Sequence, residues 1–241
     1  MPADSPAPRP LVVAIDGPSG SGKSSVSREV ARRLGLEYLD TGAMYRAVCW
    51  AALEAGVDLR DKTRVAQVAR RLDLQLETDA EAPRVRVDGR DVTAQIRESR
   101  ISALVSTVAT NQDVRAELRR RQQELIEAAR RGPRAGVVAE GRDITTVVAP
   151  DADVRLLLTA SEESRLARRA LEMHGRDDAS ALEATRDEVL RRDADDATVS
   201  NFHTAAAGVV KLDSSTMDFE ETVTAVLHAV VAHGEAVSVR S

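Results

Sequence analysis

At 241 residues, with 43% hydrophobic and 30% charged side chains, the chain has the composition of a globular protein. Its length fits one domain, or one domain carrying inserted lobes. A net charge of −5 gives no footprint for nucleic acid, and no apolar run approaches the ~18 residues of a membrane span. Cys49 is the single cysteine, so a disulfide framework within the chain is excluded and a reducing, cytoplasmic setting is expected. Only 2% of the residues are aromatic, so the core is expected to be Ala, Val and Leu.

Residues 1–10 read as a Pro-rich tail without the apolar region of a signal peptide. "LVVAID" (11–16) is a continuous apolar run, the pattern of a strand buried on both faces. A helix is predicted from 23 to 34, and a short strand at "EYLD" (37–40). "TGAMYRAVCWAALEAG" predicts a helix with Thr41 as its N-cap and Gly56 as its stop. Trp50 and Cys49 belong to its core face, and Tyr45 is placed to line a pocket. From 57 to 90, "LDLQLET" and "RVRVDG" alternate apolar and polar residues, and Asp88-Gly89 is a turn signal, which predicts a small antiparallel insert.

Helical spacing runs from about 99 to 131 and ends at Gly132-Pro133. "GVVAEGRD" (136–143) and "ADVRLLLTA" (152–160) are buried-strand candidates. An Arg-rich helix from 161 to 173 is broken by "HGRDDAS", and a second runs from 179 to 192. "GVVKLDSS" (208–215) is the last strand, before a closing amphipathic helix. Strands alternating with helices predict a three-layer α/β/α fold with a five-stranded parallel core sheet. The expected division is a core of 11–56, 132–160 and 206–233, a lobe of 57–131, a lid of 161–205, and tails at 1–10 and 234–241.

"GPSGSGKS" (17–24) lies between a buried strand and a helix, which is the context of a phosphate-binding loop. Gly17, Gly20 and Gly22 let the backbone curl, so that the N–H groups of Gly17, Ser19, Ser21 and on to Ser25 surround phosphate oxygens, with Pro18, which has no N–H, holding the turn between them. The positive end of the next helix adds to the field. Lys23, one of three lysines in the chain, can reach the β- and γ-phosphates, and Ser24 can offer its hydroxyl to Mg²⁺. The loop predicts a bound nucleoside triphosphate and leaves the acceptor open.

A guanine-reading N-K-x-D is absent: "VKLD" (210–213) lacks the Asn. "VVAEG" (137–141) imitates only weakly the acidic strand end of a motor ATPase. A small-molecule kinase needs a compact sheet, an acceptor lobe and an Arg-rich lid, and this chain has the residues for all three. Arg46 and Arg142 follow predicted strand ends, where parallel-sheet ligands bind. Arg165, Arg168 and Arg169 share one lid helix, and Arg192 ends the next. Arginine suits phosphoryl transfer because its planar fork grips phosphate and keeps its charge. Asp40 reads either as a strand-end cap or as a group orienting the acceptor. His174 and His203, without metal-like spacing, read as surface residues.

"IDGPSGSGKSSVSREVARRLGLEYLDTGAMYRAV", the "EGRDITTVV" stretch with the Arg-rich segment after it, and "RRDADD" resemble the bacterial cytidylate kinases. The likeness spans about 11 to 230, in order. It implies an enzyme that moves the γ-phosphoryl of ATP to CMP or dCMP with Mg²⁺; a cytoplasmic monomer with no nucleic-acid or membrane partner is expected. Carried over by position, Gly17 to Ser25 hold ATP. Asp40, Thr41, Tyr45, Arg46, Ser106, Arg115, Arg142, Asp143, Arg192 and Asp196 form the acceptor site. Lys23, Arg142, Arg165, Arg169 and Arg192 balance the migrating charge. Asp143 could accept from the cytosine amine, and Arg115 could donate to ring N3 or O2. The chain departs from the family pattern at Val199, where an Arg is usual, and in "NQDVR", which lacks a Pro. A kinase for another monophosphate or metabolite, and a nucleotide-driven switch, are the alternative readings.

Overall fold

A computed structural model describes residues 10–238, apart from residue 135. In chain order, β1 (Leu11–Asp16) leads through the glycine loop into α1 (Lys23–Leu34), then β2 (Glu37–Asp40) and α2 (Thr41–Glu54). An inserted region follows: α3 (Lys62–Arg71), the hairpin strands β3 (Leu74–Glu77) and β4 (Arg84–Val87), the two-residue β5 (Arg90–Asp91), and a 3₁₀ turn at Gln95–Arg97. Next come α4 (Ser99–Ala109), α5 (Gln112–Arg131) and β6 (Gly136–Gly141). A wide π-type turn at Ile144–Val148 leads to β7 (Val154–Thr159). α6 (Glu162–His174) and α7 (Ala179–Ala197) precede β8 (Val210–Asp213) and α8 (Phe219–Ser238).

The five core strands pair in the order β2-β6-β1-β7-β8, all parallel. The apolar run of β1 is explained by burial on both faces. Val13 and Ile15 pack with Val26, Val30, Val223 and Val226 of α1 and α8. Val12 and Ala14 pack on the other side with Ile126 and Ala129 of α5 and Ile144 of the π-type turn. Successive strand residues point to opposite faces, so a strand between two helical layers carries no polar face. A second apolar core, with Met44, Trp50, Val65, Val85, Ile96 and Leu118, belongs to α2, α5 and the inserted region. Cys49 is buried in it. Among the described residues no helix is long and apolar enough to cross a membrane.

The antiparallel insert forms as expected, with β3-β4-β5 in order. Asp88 at φ 49° and Gly89 at φ 79° make the left-handed two-residue turn that suits a twisted hairpin. Several expectations need correction. The stretch 57–90 also contains α3, capped by Asp61 and burying Val65, Ala66 and Ala69; the strand alternation after it masks that helical spacing. The helices expected over 99–131 do form, divided where the Asn111 side chain accepts from Asp113 N and starts α5. Asp40, not Thr41, is the N-cap of α2. Asp40 is extended and accepts from Ala43 N, whereas the Thr41 hydroxyl donates to the carbonyl of Glu140. α7 continues past Arg192 to Ala197. α8 runs to Ser238, into the expected C-terminal tail. Residues 1–9 and 239–241 of the two expected tails lie outside the described residues.

Candidate active site

Parallel pairing decides what meets at the carboxyl edge of the sheet. Register sets Asp16 beside Gly141 and Asp40 beside Glu140. The glycine loop, the start of α2 and the turn after β6 therefore share one edge, where ligands of open α/β sheets bind. Asp16 fixes that turn. Its carboxylate accepts from Ile144 N, Thr145 N and Thr145 Oγ at 2.6–2.8 Å. Burial outweighs these bonds and raises its pKa to about 6.

The loop is closed around its glycines. Gly22 caps α1 in the left-handed region at φ 85°. Gly20, at φ 75°, could not carry a Cβ, which would lie 2.5 Å from the carbonyl oxygen of Arg165. The lid backbone thus rests directly on the loop. α1 begins at Lys23, so its first N–H groups lack intrahelical acceptors and remain for an anion. Lys23 Nζ donates to Pro18 O at 3.3 Å. Burial lowers its pKa to about 8, with Arg142 and Arg192 adding to the shift and Glu140 and Asp193 opposing it.

Ser24 Oγ donates to Glu140 Oε1 at 2.7 Å. That bond uses the hydroxyl proton and leaves the oxygen's lone pairs for a cation. Glu140 is buried, and burial together with Asp40 raises its pKa, against the pull of Lys23. Among the described residues no group of three His, Cys, Asp or Glu forms a metal cage. One hydroxyl beside one carboxylate fits Mg²⁺, which keeps waters and takes most of its oxygens from substrate phosphates.

A cavity adjoins Lys23 and Ser24. Its walls include Asp40, Thr41, Tyr45, Arg46, Arg115, Arg142, Asp143, Arg192 and Asp196, so most of the expected acceptor residues do converge. Burial raises the Tyr45 pKa to about 12, which keeps its hydroxyl protonated. Ser106 differs. It is buried on α4, but the cavity wall from that helix is Val105 and Ala109. Asp40 is the strand-end cap of its first reading, and it also accepts from Arg46 at 3.0 Å and Arg97 at 3.2 Å. Burial pushes its carboxyl up, but the two guanidiniums hold it below the usual range.

At the far end, Arg115 Nη2 donates to Asp143 Oδ2 at 2.5 Å. Arg142 reaches Asp193 through Nη1 at 2.9 Å and Asp196 through Nε at 2.7 Å. Arg192 is half-buried, and desolvation followed by Arg142 and Arg46 lowers its pKa to about 10. Three buried nitrogens, Arg46 Nε, Arg142 Nη2 and Arg192 Nε, have no hydrogen-bond partner. Buried polar atoms are nearly always satisfied, so three unsatisfied cationic donors around one cavity call for an anion.

The lid arginines divide. Arg192 lines both this cavity and the larger open cleft over the loop. Arg169 lines that cleft and pairs with Glu172 at 2.9 Å. Arg165, expected to face the migrating charge, instead donates to Ser19 O at 2.9 Å and pairs with Asp193. It braces the loop because Asp193, which also accepts from Ser19 N at 3.0 Å, sits between loop and lid. Arg168 likewise ties Ser21 O to Ser214 O. His203 is exposed, as expected; the His174 side chain is not among those described.

Sequence reasoning missed Glu140 and Asp193 as site residues. Glu140 could have been found as an acid at the end of a buried strand. Asp193 sits in an acidic run, and nothing in that run marks it out.

The family model described as cytidylate kinase matches residues 13–232. The chain is 49% identical over 222 residues to a cytidylate kinase of Cutibacterium acnes, covering 92% of this chain and 96% of that one. It is 43% identical to that of Streptomyces avermitilis, with 90% and 91% covered, and 43% identical to that of a Geobacter species, with 88% and 89% covered. A match along nearly the whole length, with the loop, strand-end arginines and lid of one nucleotide-kinase site, leads to one conclusion: the chain belongs to the cytidylate kinase family.

Proposed function

We propose how the residues of this site share the work of moving the γ-phosphoryl group of ATP to CMP or dCMP, the reaction of the family. The observation that carries the reading is the set of four half-buried cations, Lys23, Arg46, Arg142 and Arg192, around a cavity that adjoins the glycine loop. Arg142 and Arg192 lower the Lys23 pKa, and Arg142 and Arg46 lower that of Arg192. A polyanion at their centre relieves that repulsion, and two phosphates approaching end to end supply it.

In this reading Gly17 to Ser25 hold the triphosphate, and the open cleft over the loop receives ATP. Ser24, steadied by Glu140, ligates Mg²⁺. When bound, the ion would screen the phosphate charge. Lys23 follows the migrating group, and Arg46, Arg142 and Arg192 hold the acceptor phosphate in line. Phosphoryl transfer asks the protein mainly for such positioning and cationic stabilisation. An ionised acceptor phosphate is already a nucleophile, so no side chain need act as base. Asp143 and Arg115 read cytosine as one acceptor and one donor. Uracil would set a carbonyl against Asp143 and an N–H against Arg115, and such buried mismatches discriminate strongly. Lid residues 161–205 close over the core, and residues 57–131 form the acceptor lobe.

The test is ADP release with ATP against CMP, dCMP, UMP, AMP, GMP and no acceptor. Release should depend on acceptor and be fastest with CMP and dCMP. Acceptor-independent release would overturn the kinase reading, and equal use of UMP would remove Asp143 and Arg115 from base recognition.

A further inference from the structure

Phe202 is fully buried and is one of the largest such side chains, yet it lies outside all three apolar core clusters. Its ring is covered by a charge. The Arg142 guanidinium carbon lies 4.5 Å from the ring centroid, and His203 stands 4.4 Å away on a tilted ring. Two residues earlier, Ser200 Oγ accepts from Arg115 Nη2 at 3.0 Å and reaches the wall of the acceptor cavity. Both residues lie just after α7, where Ser200 N donates to Asp196 O at 3.0 Å and anchors the chain to the helix end.

We propose that this short segment, Ser200 to Phe202, is a positioning element for the two acceptor-site arginines: Phe202 holds Arg142 and Ser200 holds Arg115. The inference rests on the acceptor-site reading above. Arg142 spends Nε and Nη1 on Asp196 and Asp193. A planar fork held along its edge can still rock out of plane. A ring held against its guanidinium carbon limits the rocking, and this aims the one unsatisfied nitrogen, Nη2. Arg115 is gripped similarly, by Asp143, Ala109 O and Ser200. Asp193, Asp196, Ser200 and Phe202 all come from α7 or the segment just after it. Seating that part of the chain therefore also sets the acceptor arginines, so acceptor recognition is coupled to lid placement.

The experiment compares wild type, Phe202→Leu, Phe202→Tyr, Ser200→Ala and Arg142→Ala by calorimetric titration with CMP, UMP and ATP, with thermal melting alongside. Wild type and Phe202→Leu are also followed by NMR of the Arg142 side chain. Phe202→Leu should weaken CMP binding about ten-fold, the scale of a desolvated cation–π contact, and leave ATP affinity unmoved. It should also abolish the upfield ring-current shift of the Arg142 side-chain protons. Phe202→Tyr, which keeps the ring, should retain CMP affinity. Ser200→Ala should lower the preference for CMP over UMP about three-fold. Loss of CMP and ATP affinity together with a lowered melting midpoint would make Phe202 merely structural and overturn the proposal. Unchanged CMP affinity in Phe202→Leu would also overturn it, provided Arg142→Ala weakens CMP. Should Arg142→Ala bind CMP normally, the acceptor-site reading itself fails.

Discussion

The donor loop and the acceptor cavity touch at Lys23 and Ser24 but are built on opposite plans. The loop is nine consecutive residues, and its work is done by backbone N–H groups, two left-handed glycines and one lysine. The cavity draws side chains from α2, α4, α5, the turn after β6, α7 and the segment beyond it. Its chemistry is a set of ion pairs between residues as far apart in sequence as Arg142 and Asp193. A backbone cradle tolerates little local change but is legible locally. A side-chain cavity depends on how distant segments are brought together.

The sharpest way to break the comparison is at the shared residue. Lys23→Ala should lower turnover about 10³-fold, the scale of losing one preorganised charge. The variant should melt no lower than wild type, because the buried, pKa-depressed ammonium does not stabilise the folded chain. Wild-type turnover would remove Lys23 from the chemistry. On the acceptor side, Asp143→Ala should lower the preference for CMP over UMP by about 10²-fold while ATP affinity stays put; an unchanged ratio would free Asp143 from base reading.

A third prediction concerns pH. The Lys23 pKa of about 8 in the nucleotide-free chain lies below its ordinary value of 10.5. The unfolded chain thus binds more protons between those values, and this residue's contribution to stability rises with pH from about 8 to 10.5. A triphosphate favours the charged form and raises the pKa again. Titration of ATP at pH 9 in two buffers of different ionisation enthalpy should therefore show proton uptake. Lys23→Ala should abolish it, and no uptake in wild type would refute the shift. The smallest effect belongs to a region outside both halves. Gly89→Ala, at φ 79°, should cost about 1 kcal/mol of stability measured by chemical denaturation, with KM for both nucleotides unchanged.

Legibility followed the same divide. β1, β6 and β7 were readable because burial on both faces leaves an apolar run, and the insert because Asp88-Gly89 must turn. α3 was not, since its helical spacing merges into the strand alternation that follows. Ser106 looked like an acceptor residue by resemblance, but α4 offers Val105 and Ala109 to the wall. The lid arginines looked equivalent as a row on a helix. Only packing sorts Arg165 and Arg168 to the loop backbone and Arg192 to the cavities.

By itself, then, the sequence determined the glycine loop, the order of strands and helices apart from α3, and the candidate cations, because these depend on local backbone freedom and on periodic burial. The tertiary structure alone decided which carboxylate faces which cation. The strand order β2-β6-β1 carries Asp40, Glu140 and Asp16 to one edge, and the lid brings Asp193 and Phe202 onto Arg142. Electrostatic partners are set by distance in space, which chain position does not encode until the sheet has formed.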